Sequence, residues 1–202
     1  MDILEEINNL IAESEFAKAK HKLLQVMAEN GTDLEYTKLL GLVNVNLGCY
    51  DEARQNFEEV VEQEKEDATS WFYLGNCYDK LRNLEQAKNA YLKVIELREN
   101  YLDAYKSVCI ILMQLGEEEK AIELAEKAKE IDSEDYTYEY LIGTAYVALR
   151  QYDESIAHLE KALELAPNHS QIYGNLGTAY LLKNDQTKSI EMYQKAIEIE
   201  PE

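Results

Sequence analysis

Histidines, cysteines and paired carboxylates are the side chains of this 202-residue chain that could carry acid–base, nucleophilic or metal chemistry. The three histidines, His21, His158 and His169, could act as bases or ligands. None has a nucleophile or paired acid at a repeating or converging position, so isolated surface histidines account for all three. Cys49, Cys77 and Cys109 are odd in number, form no CxxC pair and stand at no ligand-like distance from a histidine. They define neither a disulfide framework nor a metal site, and they fit a reducing compartment. The acidic runs Glu117-Glu118-Glu119 and Glu62 to Asp67 lack the Asp/Asn/Gly alternation of a calcium loop and read as solvated helix ends. No glycine-rich phosphate loop occurs. The expectation is a chain with no catalytic residues, no metal and no cofactor, and hence not an enzyme.

The glycines obey a different rule. Gly41, Gly75, Gly143 and Gly177 lie on one 34-residue ladder, with Cys109 on the missing rung. Ala19, Ala53, Ala87, Ala121, Ser155 and Ser189 form a second ladder at the same interval, and Val26, Val60, Val94, Ala128, Ala162 and Ala196 a third. Both prolines, Pro167 and Pro201, are also 34 apart. A fixed period of this length without insertions marks stacked repeats in place of one globular core. Cys109 on a glycine rung reads as a small buried side chain.

Within the unit starting at Ala68, Trp71, Leu74, Gly75 and Tyr78 share one face of a first helix, A. A turn at Leu81-Arg82-Asn83 leads to a second helix, B, carrying Leu84, Ala87, Tyr91, Val94 and Ile95 at three- and four-residue spacing. Gly75 and Ala87 let the two helices approach closely. Gly48 and Gly116 fall at the same A–B turn, and Asn30-Gly31, Pro167 and Pro201 stop B helices.

Forty acidic and twenty basic residues give a net charge of −20, which repels nucleic-acid phosphates and anionic lipid alike. Nucleic acid is therefore excluded as a partner, and the fifteen tyrosines read as packing residues of the repeats, Tyr73, Tyr78, Tyr91, Tyr105, Tyr146, Tyr180 and Tyr193 among them. The first residues lack a secretory pattern, and the longest apolar run, Val108 to Met113, is too short for a bilayer. No membrane insertion and a cytoplasmic location are expected.

The order Trp71-x-x-Leu74-Gly75-x-x-Tyr78, then Ala87, Tyr91 and Val94, resembles the tetratricopeptide repeat. The match recurs from Tyr136 and from Ser170. It is looser from Leu34, where Thr37 replaces the first-helix aromatic, and from Leu102, where Cys109 replaces Gly. The units expected are a degenerate helix pair at 1–33, then repeats at 34–67, 68–101, 102–135, 136–169 and 170–202, forming one solenoid domain. The resemblance implies an all-α fold, a right-handed α-solenoid of antiparallel helix pairs, with A helices lining a concave groove.

Carried over by phase, the groove positions are Lys38, Leu42 and Val45; Phe72, Asn76 and Lys80; Lys106, Ile110 and Met113; Tyr140, Thr144 and Val147; Thr178 and Leu181. Their apolar members suit the anchors of a docked peptide, with lysines and amides holding its polar groups. Lys38 is followed one turn later by Leu42, and Lys106 by Ile110, so the carboxylate clamp of chaperone-tail binders is missing. Asn76 and Asn175 are too isolated to form the asparagine ladder of glycosyltransferase relatives. The function expected is a non-catalytic scaffold binding a peptide segment of a partner protein. Two alternatives remain. The segment could be the targeting or regulatory region of a longer enzyme or regulator. The apolar face of Ile190, Tyr193 and Ile197, uncovered by any following helix, could instead mediate self-association.

Overall fold

A computed structural model describes residues 3–201, and these form twelve α-helices with no strand among the described residues. They fall into two compact units divided after Glu99. The first holds α1 (Ile3–Ala12), α2 (Phe16–Asn30), α3 (Leu34–Asn46), α4 (Tyr50–Gln63), α5 (Ala68–Lys80) and α6 (Leu84–Leu97). The second holds α7 (Leu102–Leu115), α8 (Glu118–Ile131), α9 (Tyr136–Ala148), α10 (Tyr152–Leu165), α11 (Ser170–Leu182) and α12 (Gln186–Ile199). Odd-numbered helices are A and even-numbered are B. Within each unit every helix packs on the next in sequence, and A helices also touch the next A helix, as α3 with α5 and α7 with α9. The architecture is the all-α solenoid of helical repeats.

The A–B turns reveal a ladder that residue types conceal. Ser14, Gly48, Arg82, Gly116, Arg150 and Asn184 all adopt positive φ, between 58° and 75°, and all lie 34 residues apart. Each ends its A helix in the same way. The Arg82 amide donates to Asp79 O at 2.9 Å, and the Asn83 amide to Tyr78 O at 2.8 Å. The same pair of bonds joins Gln151 to Tyr146 and Arg150 to Val147. This left-handed stop satisfies the last carbonyls of helix A, and the carbonyl of the next residue starts helix B, as Asn83 O accepts from the Ala87 amide at 3.0 Å.

The glycine ladder is a steric requirement. A Cβ added at Gly75 would meet the Tyr91 ring at 2.7 Å, at Gly41 the Phe57 ring at 2.9 Å, at Gly143 Leu159 at 2.7 Å and at Gly177 the Tyr193 ring at 2.8 Å. A large B-helix side chain sixteen residues on thus packs directly against each bare A-helix backbone. Cys109 escapes the rule because the residue sixteen on is Ala125. Both are buried, and the Cys109 thiol donates to Ala121 O at 3.3 Å. In the first pair, Ile7 and Leu23 occupy these rungs, fully buried in a cluster with Ala19, Leu40 and Val43. Burial pushes the Cys77 and Cys109 thiols up to about 12, so neither is a thiolate at neutral pH.

Candidate functional site: the A-helix faces

Three A helices begin with an aspartate whose side chain accepts backbone N–H groups: Asp33 on α3, Asp67 on α5 and Asp135 on α9. Such caps fix where each helix starts, and two of them also organise the candidate site. In the first unit Lys38 of α3 is ion-paired with Asp67. In the second, Lys106 of α7 reaches Asp135 at 2.7 Å. Burial would raise Asp67, but hydrogen bonds from Lys38 and Ser70 overcome it and hold the carboxyl below its ordinary value. Lys106 and Thr137 do the same for Asp135. The two lysines therefore fasten one A helix to the next A-helix cap. The lysines expected to hold a ligand's polar groups are thus already engaged within the fold.

On the rest of the first unit's A face, Leu42 and Val45 pack partly against the cluster of Ala53, Phe57, Val61, Leu74 and Cys77. The Phe72 ring lies 5.7 Å from that of Tyr91, whose hydroxyl donates to Asn76 Oδ1 at 2.7 Å. Lys80 is exposed. Between α3 and α5 is a cavity of about 370 Å³, walled by Leu39, Leu42, Phe57 and Tyr73, with Glu35, Lys38 and Thr69 at its rim. Phe57 and Tyr73 stack at 5.4 Å to form part of that wall.

In the second unit, Ile110 is 45% exposed and Leu181 49%, while Met113 is half-buried. Tyr140 and Val147 pack partly against Ile172, Leu176 and Ala179. The Thr144 hydroxyl donates to Tyr140 O at 2.8 Å and accepts from Asn175 Nδ2 at 2.9 Å. Thr178 donates to Gly174 O and shares a hydrogen bond with the Tyr193 hydroxyl, each at 3.0 Å. Asn76, Thr144 and Thr178 are thus already engaged within the fold. None of the fourteen positions is fully buried.

The histidines require correction. Only His21 is an exposed surface residue. His169 precedes α11 and its ring packs on Tyr136 at 4.8 Å and Tyr140 at 6.4 Å. His158 of α10 places Nδ1 2.6 Å from Glu139 Oε2 and stacks on Tyr146. Glu139 is only 7% exposed, and Lys129 of α8 reaches its other oxygen at 3.3 Å. Burial would raise Glu139, but the His158 hydrogen bond and the Lys129 charge hold it below its usual value. An acid thus does converge on a histidine. Its signal was present: Glu139 stands on the rung that Trp71, Tyr105 and Tyr173 fill with rings. The cluster is closed between three helices and explains the loss of the ring as a polar substitute for packing.

Among the described residues, no helix is long and apolar enough to cross a membrane. Comparison with curated proteins gives no match. Solved structures resemble the fold. MamA from Desulfovibrio magneticus RS-1 is 23% identical, with 83% of this chain and 94% of that one covered at a TM-score of 0.77. YrrB, a TPR protein with an unusual peptide-binding site, is 21% identical over 89% and 93% at 0.71. A tetratricopeptide repeat protein from Parabacteroides merdae ATCC 43184 is 16% identical over 99% and 79% at 0.87. Family models described as tetratricopeptide repeat match residues 68–101, 110–135 and 135–202. With the shared period, the glycine rungs and the helix pairs, these matches make the chain a member of the tetratricopeptide-repeat family.

Proposed function

We propose that the chain is a non-catalytic interaction scaffold whose A-helix faces hold a peptide segment of a partner protein. The repeat boundaries at 34, 68, 102, 136 and 170 belong to the same reading. The observation that carries it is the retained exposure of apolar A-face residues, Ile110 and Leu181 above all. The cavity beside Leu42 and Tyr73 adds a recess for an anchoring side chain. Because Lys38 and Lys106 are spent on Asp67 and Asp135, peptide capture rests on apolar anchors and backbone contacts more than on lysine charges. YrrB offers a precedent for peptide binding on this fold.

The test is capture of partner proteins by the chain beside a variant carrying Phe72→Ser, Ile110→Ser and Tyr140→Ser. A partner retained only by the unmodified chain, at equal helicity, supports the groove. Equal retention by both removes it. Self-association is a second reading, favoured by the exposure of Ile190 (58%) and Ile197 (63%) on α12. Ile197 also borders a depression of about 450 Å³ lined by Ser170, Ala196 and Pro201. A solution mass equal to one chain at high concentration would dismiss that reading.

A further inference from the structure

Sharing no lining residue with the cavity between α3 and α5, a second, open cleft of about 500 Å³ is bordered by α4, α5 and α6 of the first unit. Its apolar lining comes from Val61, Leu74, Trp71 and Tyr78. The walls are fixed: the Trp71 indole N–H donates to Lys65 O at 2.9 Å, and the Tyr78 hydroxyl to Glu58 Oε1 at 2.7 Å. Sixty-eight residues on, Lys129 and Glu139 replace Val61 and Trp71, and with His158 they form the closed polar cluster described above. The two units differ here in chemistry, although their backbones repeat.

Charge at the mouth identifies what could enter. Arg54 is committed to Glu58 at 2.6 Å, Lys93 to Glu96 at 2.8 Å, and Lys38 to Asp67. Among the described residues, Glu62, Glu64 and Glu66 make no ion pair, and neither does Lys65 between them. All four are exposed. The lining itself carries Glu58 and Glu62 against Lys65 and Lys93, and the exposed Glu64 and Glu66 on either side of Lys65 add two further carboxylates, a bias that favours cationic segments beside an apolar, aromatic-walled recess.

We propose that this cleft is a docking socket for an apolar anchor, leucine or phenylalanine, flanked by lysines or arginines in a partner peptide. The acidic run from Glu62 to Asp67 is then the electrostatic half of the socket as well as a helix end. Trp71 forms the hydrophobic half. The socket is independent of the A-face groove and would serve a different part of a partner, or a different partner.

Trp71 is the chain's single tryptophan, so its emission reports the socket directly. The probe is the peptide Lys-Lys-Arg-Leu-Phe-Lys-Arg-Lys, titrated into the full chain at low ionic strength. A saturable shift in emission is expected, weakening as salt rises. Glu62→Lys with Glu66→Lys should reduce affinity about tenfold while leaving helicity unchanged. Ile110→Ser with Leu181→Ser, which alters A faces in the other unit, should leave the titration unchanged even if the groove reading fails. No emission change overturns the proposal. So does equal binding of a peptide with Glu in place of every basic residue, or with Ser-Ser in place of Leu-Phe. A change produced by raising protein concentration alone assigns the cleft to a second copy and also overturns it.

Discussion

Replacing Gly75 by alanine should destabilise the first unit, although the same change in an open helix stabilises. Ordinary contact for a Cβ begins at 3.4 Å, and the added carbon at Gly75 would lie 2.7 Å from Tyr91. The ring must retreat by about 0.7 Å. Tyr91 is 2% exposed and its hydroxyl is held by Asn76 at 2.7 Å, so retreat strains both packing and a hydrogen bond. Overpacking costs ~1–3 kcal/mol and a weakened hydrogen bond ~1 kcal/mol. Against these, alanine is preferred to glycine in a helix by ~0.5–1 kcal/mol. The net loss is about 1–3 kcal/mol. Gly174 supplies the control: it is helical, and a Cβ there meets nothing within 4 Å, so Gly174→Ala should gain ~0.5–1 kcal/mol. Urea denaturation followed by circular dichroism measures both. In a Tyr91→Ala background, Gly75→Ala should change sign and become favourable, reproducing the Cys109–Ala125 arrangement. If Gly75→Ala stabilises the unaltered chain as much as Gly174→Ala does, the steric account of the glycine ladder is wrong.

The other predictions concern neighbouring rungs and the buried acid. Ala125→Tyr should cost ~1–3 kcal/mol while Cys109 is present, and much of that should return in the double variant with Cys109→Gly, as a mutant cycle in denaturant would show. Arg150 holds a left-handed backbone at φ 60°, so Arg150→Gly should stabilise by ~0.5–1 kcal/mol in thermal melts, the relief of αL strain exceeding the entropy cost of glycine. Glu139 has its folded-state pKa below the ordinary 4.5. Its cluster therefore stabilises above that value and loses its contribution as pH falls below it. Glu139→Gln should cost ~1–3 kcal/mol at pH 7 and flatten the acid limb of stability against pH, an unchanged limb being the contrary result.

Gly41, Gly75, Gly143 and Gly177 made the fold readable because a large side chain sixteen residues on leaves no room for a Cβ. The left-handed ladder was readable only at Gly48 and Gly116. Ser14, Arg82, Arg150 and Asn184 adopt the same backbone through the hydrogen bonds that close the A helix, which residue type does not announce. The groove positions followed from the repeat phase, but phase says nothing about pairing. Lys38 and Asp67 are 29 apart, as are Lys106 and Asp135, yet that repeated interval becomes a fastening only when α5 and α9 are placed beside their neighbours. Glu139 was visible as an acid on an aromatic rung, and its meaning depended on His158 and Lys129 arriving from two other helices.

A partner held on the A-helix faces would touch residues of those helices and leave exposed B-helix residues untouched. The most direct measurement places a photo-crosslinking residue singly at Ile110, Leu181, Ile131 or Leu165 of the second unit. These four are similarly exposed, at 45%, 49%, 44% and 43%, but the first two lie on A helices and the others on B helices. Crosslinks to one common partner segment from Ile110 and Leu181, with none from Ile131 or Leu165, are the predicted result. The same segment captured from Ile131 and Leu165 instead would contradict the account.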